Sequence, residues 1–166
     1  MVVPEAARAV DRWRLLHTYD GALGVPAHVT VLYPFVPPAS LEADLTALVA
    51  ELAASQAPFD VSFRRVARWP DGIVYLPPEP PEPFLALIAG ACARWPEWPP
   101  YGGAHDEVVP HLTVVDDEAV ADEAARDVES SLPLAARIDE LTLLAEGADG
   151  RWRVHAAFPL GVRRPE

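Results

Sequence analysis

Two short stretches hold the residues best suited to chemistry: "AHVTVL", from Ala27 to Leu32, and "PHLTVV", from Pro110 to Val115. In each, a threonine stands two places after a histidine, and the remaining positions are mostly apolar or β-branched. That composition reads as strand, and successive strand side chains point to opposite faces. His28, Thr30 and Leu32 then share one face, with Val29, Val31 and Tyr33 on the other. Likewise His111, Thr113 and Val115 oppose Leu112 and Val114. The apolar sets can fill a core. The polar sets, facing each other, would bring two imidazoles and two hydroxyls to one point.

Such a set suits cleavage of a phosphodiester. A base must take the proton of the attacking oxygen, and an acid must protonate the leaving one. Histidine titrates close enough to neutrality for one ring to be neutral while the other is charged. Threonine hydroxyls can donate to the non-bridging phosphate oxygens as charge develops there. No metal or cofactor is needed for this division of labour, and none is expected. Which histidine is acid and which is base is not legible at this level.

The elements that must position these residues can be read from apolar periodicity and from proline and glycine breaks. A helix is expected over 5–17, then the strand 28–33, ended by Pro34. Ser40 is expected to cap a helix to about residue 55. Strands near 59–67 and 73–78 flank the turn Pro70-Asp71-Gly72. A proline-rich connector, 77–83, leads to a helix over 84–95. A long loop, 96–110, precedes the second strand, 111–115. Asp116 is expected to cap a helix over 117–130, and strands near 135–145 and 151–158 close the chain. The order histidine strand, helix, strand, turn, strand thus occurs twice, in halves of about 24–80 and 107–160. This is an internal duplication carried by element order more than by identity. The expected fold is α+β: one domain over 1–166, with two pseudo-symmetric lobes, antiparallel sheets around a central cleft and helices outside.

With these residues the chain resembles the 2H phosphoesterase superfamily, on its 2′-5′ RNA ligase-like branch. "HVTV" and "HLTV" match that family's paired His-hydrophobic-Thr/Ser-hydrophobic motifs, and the element order matches from Gly24 onward. The resemblance implies a two-lobed α+β fold. It also implies metal-independent hydrolysis or transfer at 2′,3′-cyclic or 2′-5′ phosphodiesters of nucleotides or RNA ends. By the same resemblance His28 and His111 take the catalytic roles, and Thr30 and Thr113 the phosphate-binding ones. One departure stands out. Many relatives carry an arginine soon after the second motif, where this chain has Asp116 and Asp117.

Composition narrows the substrate. The chain has 166 residues, a net charge of −12 and no lysine, all 13 basic residues being arginine. Non-specific affinity for long nucleic acid comes from many phosphate contacts, so a small nucleotide or a short RNA end is the expected partner. The single cysteine, Cys92, cannot form an internal disulfide. No apolar run approaches the ~20 residues of a membrane span, and no secretory signal pattern opens the chain. A cytoplasmic location is expected.

Other residues compete for roles. Phe35 and Tyr101, in loops beside the two motifs, are candidates to stack on a base. Trp98 reads as packing. Arg151 and Arg153, alternating with Trp152 and Val154 on the last strand, are candidate substrate contacts that would offset the missing arginine. Arg64, Arg65 and Arg68 raise the same idea more weakly. His105 reads as a solvated loop residue and His17 as the cation ending the first helix. Two functions of other classes share the same residues: a module that holds a nucleotide or RNA end without turnover, and 2′-5′ ligation in the reverse direction.

Overall fold

Prolines and short apolar stretches cut this chain into brief elements. The computed structural model describes residues 1–104 and 107–161. Helix α1 (Pro4–His17) starts on proline, whose fixed φ suits the first helical position. It buries Ala6, Val10, Trp13 and also Arg14. A single turn, α2 (Tyr19–Ala22), follows, with the Thr18 side chain accepting from Gly21 N. Three further α-helices follow among the described residues: α3 (Ala43–Ala54), α4 (Glu82–Arg94) and α5 (Ala121–Glu129). No helix among the described residues is long and apolar enough to cross a membrane.

Among the described residues, eight short strands form three antiparallel sheets. Strands β1 (Phe59–Phe63), β4 (Pro78–Glu79) and β6 (Leu134–Ile138) run in the order β4-β1-β6. Strands β2 (Ala67–Arg68), β3 (Val74–Leu76) and β5 (Leu112–Val115) run in the order β2-β3-β5. A hairpin of β7 (Glu140–Glu146) and β8 (Trp152–Pro159) makes the third. The fold is α+β. Each three-stranded sheet takes strands from both sequence halves: β5 pairs with β3, and β6 with β1.

Several boundaries differ from the sequence expectation. The stretch 28–33 is extended but makes only an isolated bridge, His28 to Val2. Its backbone partners are the first residues of the chain, with Val29 N bonded to Met1 O at 2.9 Å and Val3 N to Ala27 O at 2.8 Å. Alternation still holds there: Ala27, Val29 and Val31 are buried. Tyr33 departs from it and is 51% exposed, because its ring packs edge-on against Trp152 instead of entering the core. In β5, Leu112 and Val114 are buried as expected, but so is Val115, where the β3–β5 register shifts at Val74/Tyr75. Ser40 closes a 3-10 turn, and α3 begins three residues later. Asp116 does not cap its own helix. Its carboxylate accepts from Tyr19 N at 3.0 Å, and Asp117 caps Ala119 N instead.

Phe63, Leu76, Phe84, Leu87, Leu112 and Ile138 are among the largest fully buried side chains of the core. Each such side chain contributes about 1.5–3 kcal/mol through burial. The two motif segments are anchored by this core through Val29, Val31, Leu112 and Val114.

Candidate active site

His28 and His111 are held by the same local device. The His28 ring bonds the Pro26 carbonyl through Nδ1 at 2.8 Å, and the His111 ring bonds the Val109 carbonyl through Nδ1 at 2.7 Å. A carbonyl only accepts, so each neutral ring carries its proton on Nδ1 and its lone pair on Nε2. In both motifs the carbonyl lies two residues before the histidine, and this fixes ring orientation and tautomer together. At His28, Nε2 then receives the Thr30 hydroxyl at 3.0 Å.

The environments of the two rings differ. His28 is 19% exposed. Burial pushes its pKa down to about 4, and the nearby Arg14 guanidinium adds to the shift, so the ring is neutral at pH 7. His111 sits in an aromatic surround. The edges of Trp69 and Tyr75 meet it at centroid distances of 5.9 and 5.7 Å, and Tyr101 lies nearly parallel at 6.4 Å. Trp69 and Tyr75 are themselves stacked at 4.3 Å.

One cavity of about 620 Å³ is lined by His28, Thr30, His111 and Thr113 together. The structure thus brings both motifs to one space. Phe35 and Tyr101 line it too. Phe35 also packs edge-on against Trp95, so it serves the wall and its support. Tyr101 bridges the motifs: its hydroxyl is hydrogen-bonded to Thr30 and its ring stacks on His111. Burial pushes the Tyr101 hydroxyl up, so it stays protonated at neutral pH. Its backbone has φ 53°, a left-handed conformation that is costly outside glycine, and its N–H bonds the Tyr33 carbonyl.

Arg151 and Arg153 are not among the residues that line the cavity. Arg153 is held away by Asp149 in a bidentate pair at 2.9 and 2.6 Å, and Arg151 reaches the Ala22 carbonyl. A register shift in the β7–β8 hairpin leaves His155 as an extra residue on β8, beyond both arginines. Arg64 and Arg68 are likewise engaged elsewhere, by Glu79 and Asp122. Among the described residues no arginine lines the cavity, whereas Asp20, Asp116 and Glu146 do. Its walls are otherwise mostly apolar, with Tyr19, Tyr33, Trp95, Trp98 and Trp152 as further aromatics. Trp98, read as packing, therefore also faces this space. His105 lies outside the described residues. His17 does end α1, with Nδ1 paired to Asp117 at 3.0 Å.

Sequence reasoning missed Arg14 and Asp20. Arg14 is 1% exposed and bonds the Thr113 carbonyl and the Asp20 carboxylate, both at 2.7 Å. Burial alone would raise Asp20, but the Arg14 charge and hydrogen bond hold its carboxyl below the usual range. The only sequence signal was an arginine beside Trp13 on the buried side of an amphipathic helix. Among the described residues no cluster of three or more His, Cys, Asp or Glu side chains is disposed to hold a metal ion.

Comparison with known proteins bears on the family and the fold. The family model of the 2′-5′ RNA ligase superfamily matches residues 2–150. Among solved structures, TT0787 of Thermus thermophilus superposes with a TM-score of 0.59 at 21% identity, covering 84% of this chain and 82% of its own. E. coli LigT complexed with NADP+ superposes with a TM-score of 0.57 at 19% identity, covering 97% and 94%. LigT complexed with 3′-AMP gives a TM-score of 0.56 at 18% identity, with the same coverage. These likenesses establish the fold. No curated protein matches the chain significantly.

Proposed function

Because the chain belongs to the 2′-5′ RNA ligase superfamily, we propose that it is a phosphodiesterase acting on 2′,3′-cyclic or 2′-5′ phosphodiesters of nucleotides or short RNA ends, with His28 as general base and His111 as general acid. The observation that carries this reading is the shared device at the two histidines. Both rings present Nε2 as the reactive nitrogen in one cavity, with Thr30 and Thr113 beside them.

On a cyclic phosphate, water attacks phosphorus as His28 Nε2 takes one of its protons. The bond from phosphorus to one ribose oxygen breaks. His111, protonated on both ring nitrogens, gives the Nε2 proton to that oxygen, and a phosphomonoester results. His28 suits the base because its ring is neutral at pH 7. An anionic phosphate beside His111 favours its charged form. In the structure the Thr30 hydroxyl occupies the His28 lone pair. A bound phosphate oxygen would compete for that hydroxyl and leave Nε2 to the water. Thr113 donates from the other motif.

The cavity also supports a small substrate. Its charge is suited to one phosphate and not to a run of them, since carboxylates and not arginines line it among the described residues. Its aromatic walls suit a nucleobase. E. coli LigT has been seen with NADP+ and with 3′-AMP, both nucleotides. A 31P NMR screen of nucleoside 2′,3′-cyclic phosphates and a 2′-5′-linked dinucleotide tests the reading. Turnover of the cyclic phosphates to a monoester, and of the dinucleotide to a nucleoside and a nucleoside monophosphate, undiminished by EDTA, is expected. Binding without turnover across the panel would refute it and favour a binding module.

A further inference from the structure

We infer that buried Arg14 and partly exposed Asp20 form a strut that sets the two His-x-Thr segments at their working separation, as positioning residues for both histidines. The inference rests on the catalytic reading above, and its geometry lies outside the cavity lining for Arg14. One planar guanidinium reaches both motifs. Its Nη1 donates to the carbonyl of Thr113 at 2.7 Å. Its Nη2 donates to Asp20 at 2.7 Å and lies 3.4 and 3.5 Å from the carbonyls of Val25 and Pro26. The Pro26 carbonyl is the same one that orients the His28 ring. A displacement of Arg14 would therefore move Thr113 relative to Pro26, and His28 with it.

Asp20 completes the strut. Its second oxygen accepts from Gly21 N at 2.7 Å, and Oδ2 lies 3.9 Å from His28 Nδ1. The turn that carries Asp20 is pressed onto α1. A Cβ at Gly21 would stand 2.4 Å from the Arg14 carbonyl, so only glycine fits. Thr18 ties the same corner, donating to the Arg14 carbonyl at 2.9 Å and accepting from Gly21 N at 3.0 Å.

Stability alone is a poor account of this arrangement. A buried ion pair is often no better than an apolar replacement of similar volume. Among the described residues Arg14 Nε moreover has no hydrogen-bond partner. Lysine could not substitute, because a single ammonium cannot span both the Thr113 carbonyl and the carboxylate with a rigid fork. The titratable and charged groups facing His28 are Arg14 from α1, Asp20 from α2 and the Met1 amino group from the opening segment, whose pKa burial pushes down to about 5.

The experiment compares wild type with Arg14→Gln and Asp20→Asn, on a nucleoside 2′,3′-cyclic phosphate, with His28→Ala and His111→Ala as references. Misplacement of reacting groups on the order of 1 Å can cost ~10²-fold, so kcat should fall by about that factor in each strut variant while KM stays within about threefold. The acidic limb of the kcat/KM profile should move in opposite directions. It should move up for Arg14→Gln, which removes a depressing charge, and down for Asp20→Asn, which removes a raising one. Wild-type kcat, or an unmoved limb, in either folded variant would overturn the inference. If Arg14→Gln does not fold, Asp20→Asn decides by the same criteria. Should the histidine references also retain full turnover, the catalytic reading itself is wrong; should only the strut variants retain it, the strut alone is.

Discussion

The depressed pKa of His28 makes a quantitative prediction about stability. The ring falls from an ordinary value of 6.5 to about 4 on folding, chiefly through burial, and the side chain is only 19% exposed. The folded state favours the neutral ring, so the unfolded chain binds more protons between these two values. The contribution of this group is fully present above pH 6.5 and is lost as the pH falls through that window toward 4. The whole difference corresponds to about 3 kcal/mol, of which about 2 kcal/mol is lost between pH 7 and pH 5. Carboxylates titrate at the lower end of that range, so the wild type must be compared with His28→Gln, which keeps a polar side chain and cannot titrate. Urea unfolding at the two pH values measures this. The wild type should lose about 2 kcal/mol more than the variant on acidification. Equal losses would show that His28 titrates normally in the folded protein, and its assignment as the neutral base would lose its physical ground.

Three further outcomes follow from the same geometry. Tyr101→Phe removes the hydroxyl bonded to Thr30 but keeps the ring on His111; kcat should fall by about 3- to 10-fold, in line with about 0.5–1.5 kcal/mol for a hydrogen bond, and stopped-time assays on a cyclic phosphate would read it. Arg153→Ala should leave kcat/KM within about twofold in the same assay, because its guanidinium is engaged by Asp149 away from the cavity and exposed ion pairs contribute little. Leu112→Ala, at a fully buried β5 position between His111 and Thr113, should lower the unfolding free energy by about 2–5 kcal/mol in chemical denaturation.

The parts of the site legible in the sequence are those governed by local rules. The period of two along an extended chain separates His28 and Thr30 from Val29 and Val31, and the burial pattern follows that separation. Helix starts and apolar stripes are similarly local, and α4 buries Phe84, Leu87, Ile88 and Ala91 as its spacing predicts. What the sequence hides depends on distant partners. Arg14 reads as one polar residue on a helix until the Thr113 carbonyl, far along the chain, is placed against it. Asp116 reads as a helix cap, yet Tyr19 N takes its carboxylate. Arg151 and Arg153 read as a basic face, and the pairing of Arg153 with Asp149 and the reach of Arg151 to the Ala22 carbonyl are contacts that strand alternation does not reveal. The pairing of β5 with β3 and of β6 with β1 is also non-local.

The central claim is that two histidines divide acid and base work at one phosphodiester. Steady-state turnover of a nucleoside 2′,3′-cyclic phosphate by His28→Ala and by His111→Ala tests it most directly. Each acid–base partner contributes typically ~10²- to 10⁴-fold, so each variant should lose kcat by a factor in that range while keeping a wild-type fold. Unchanged kcat in either folded variant would contradict the account.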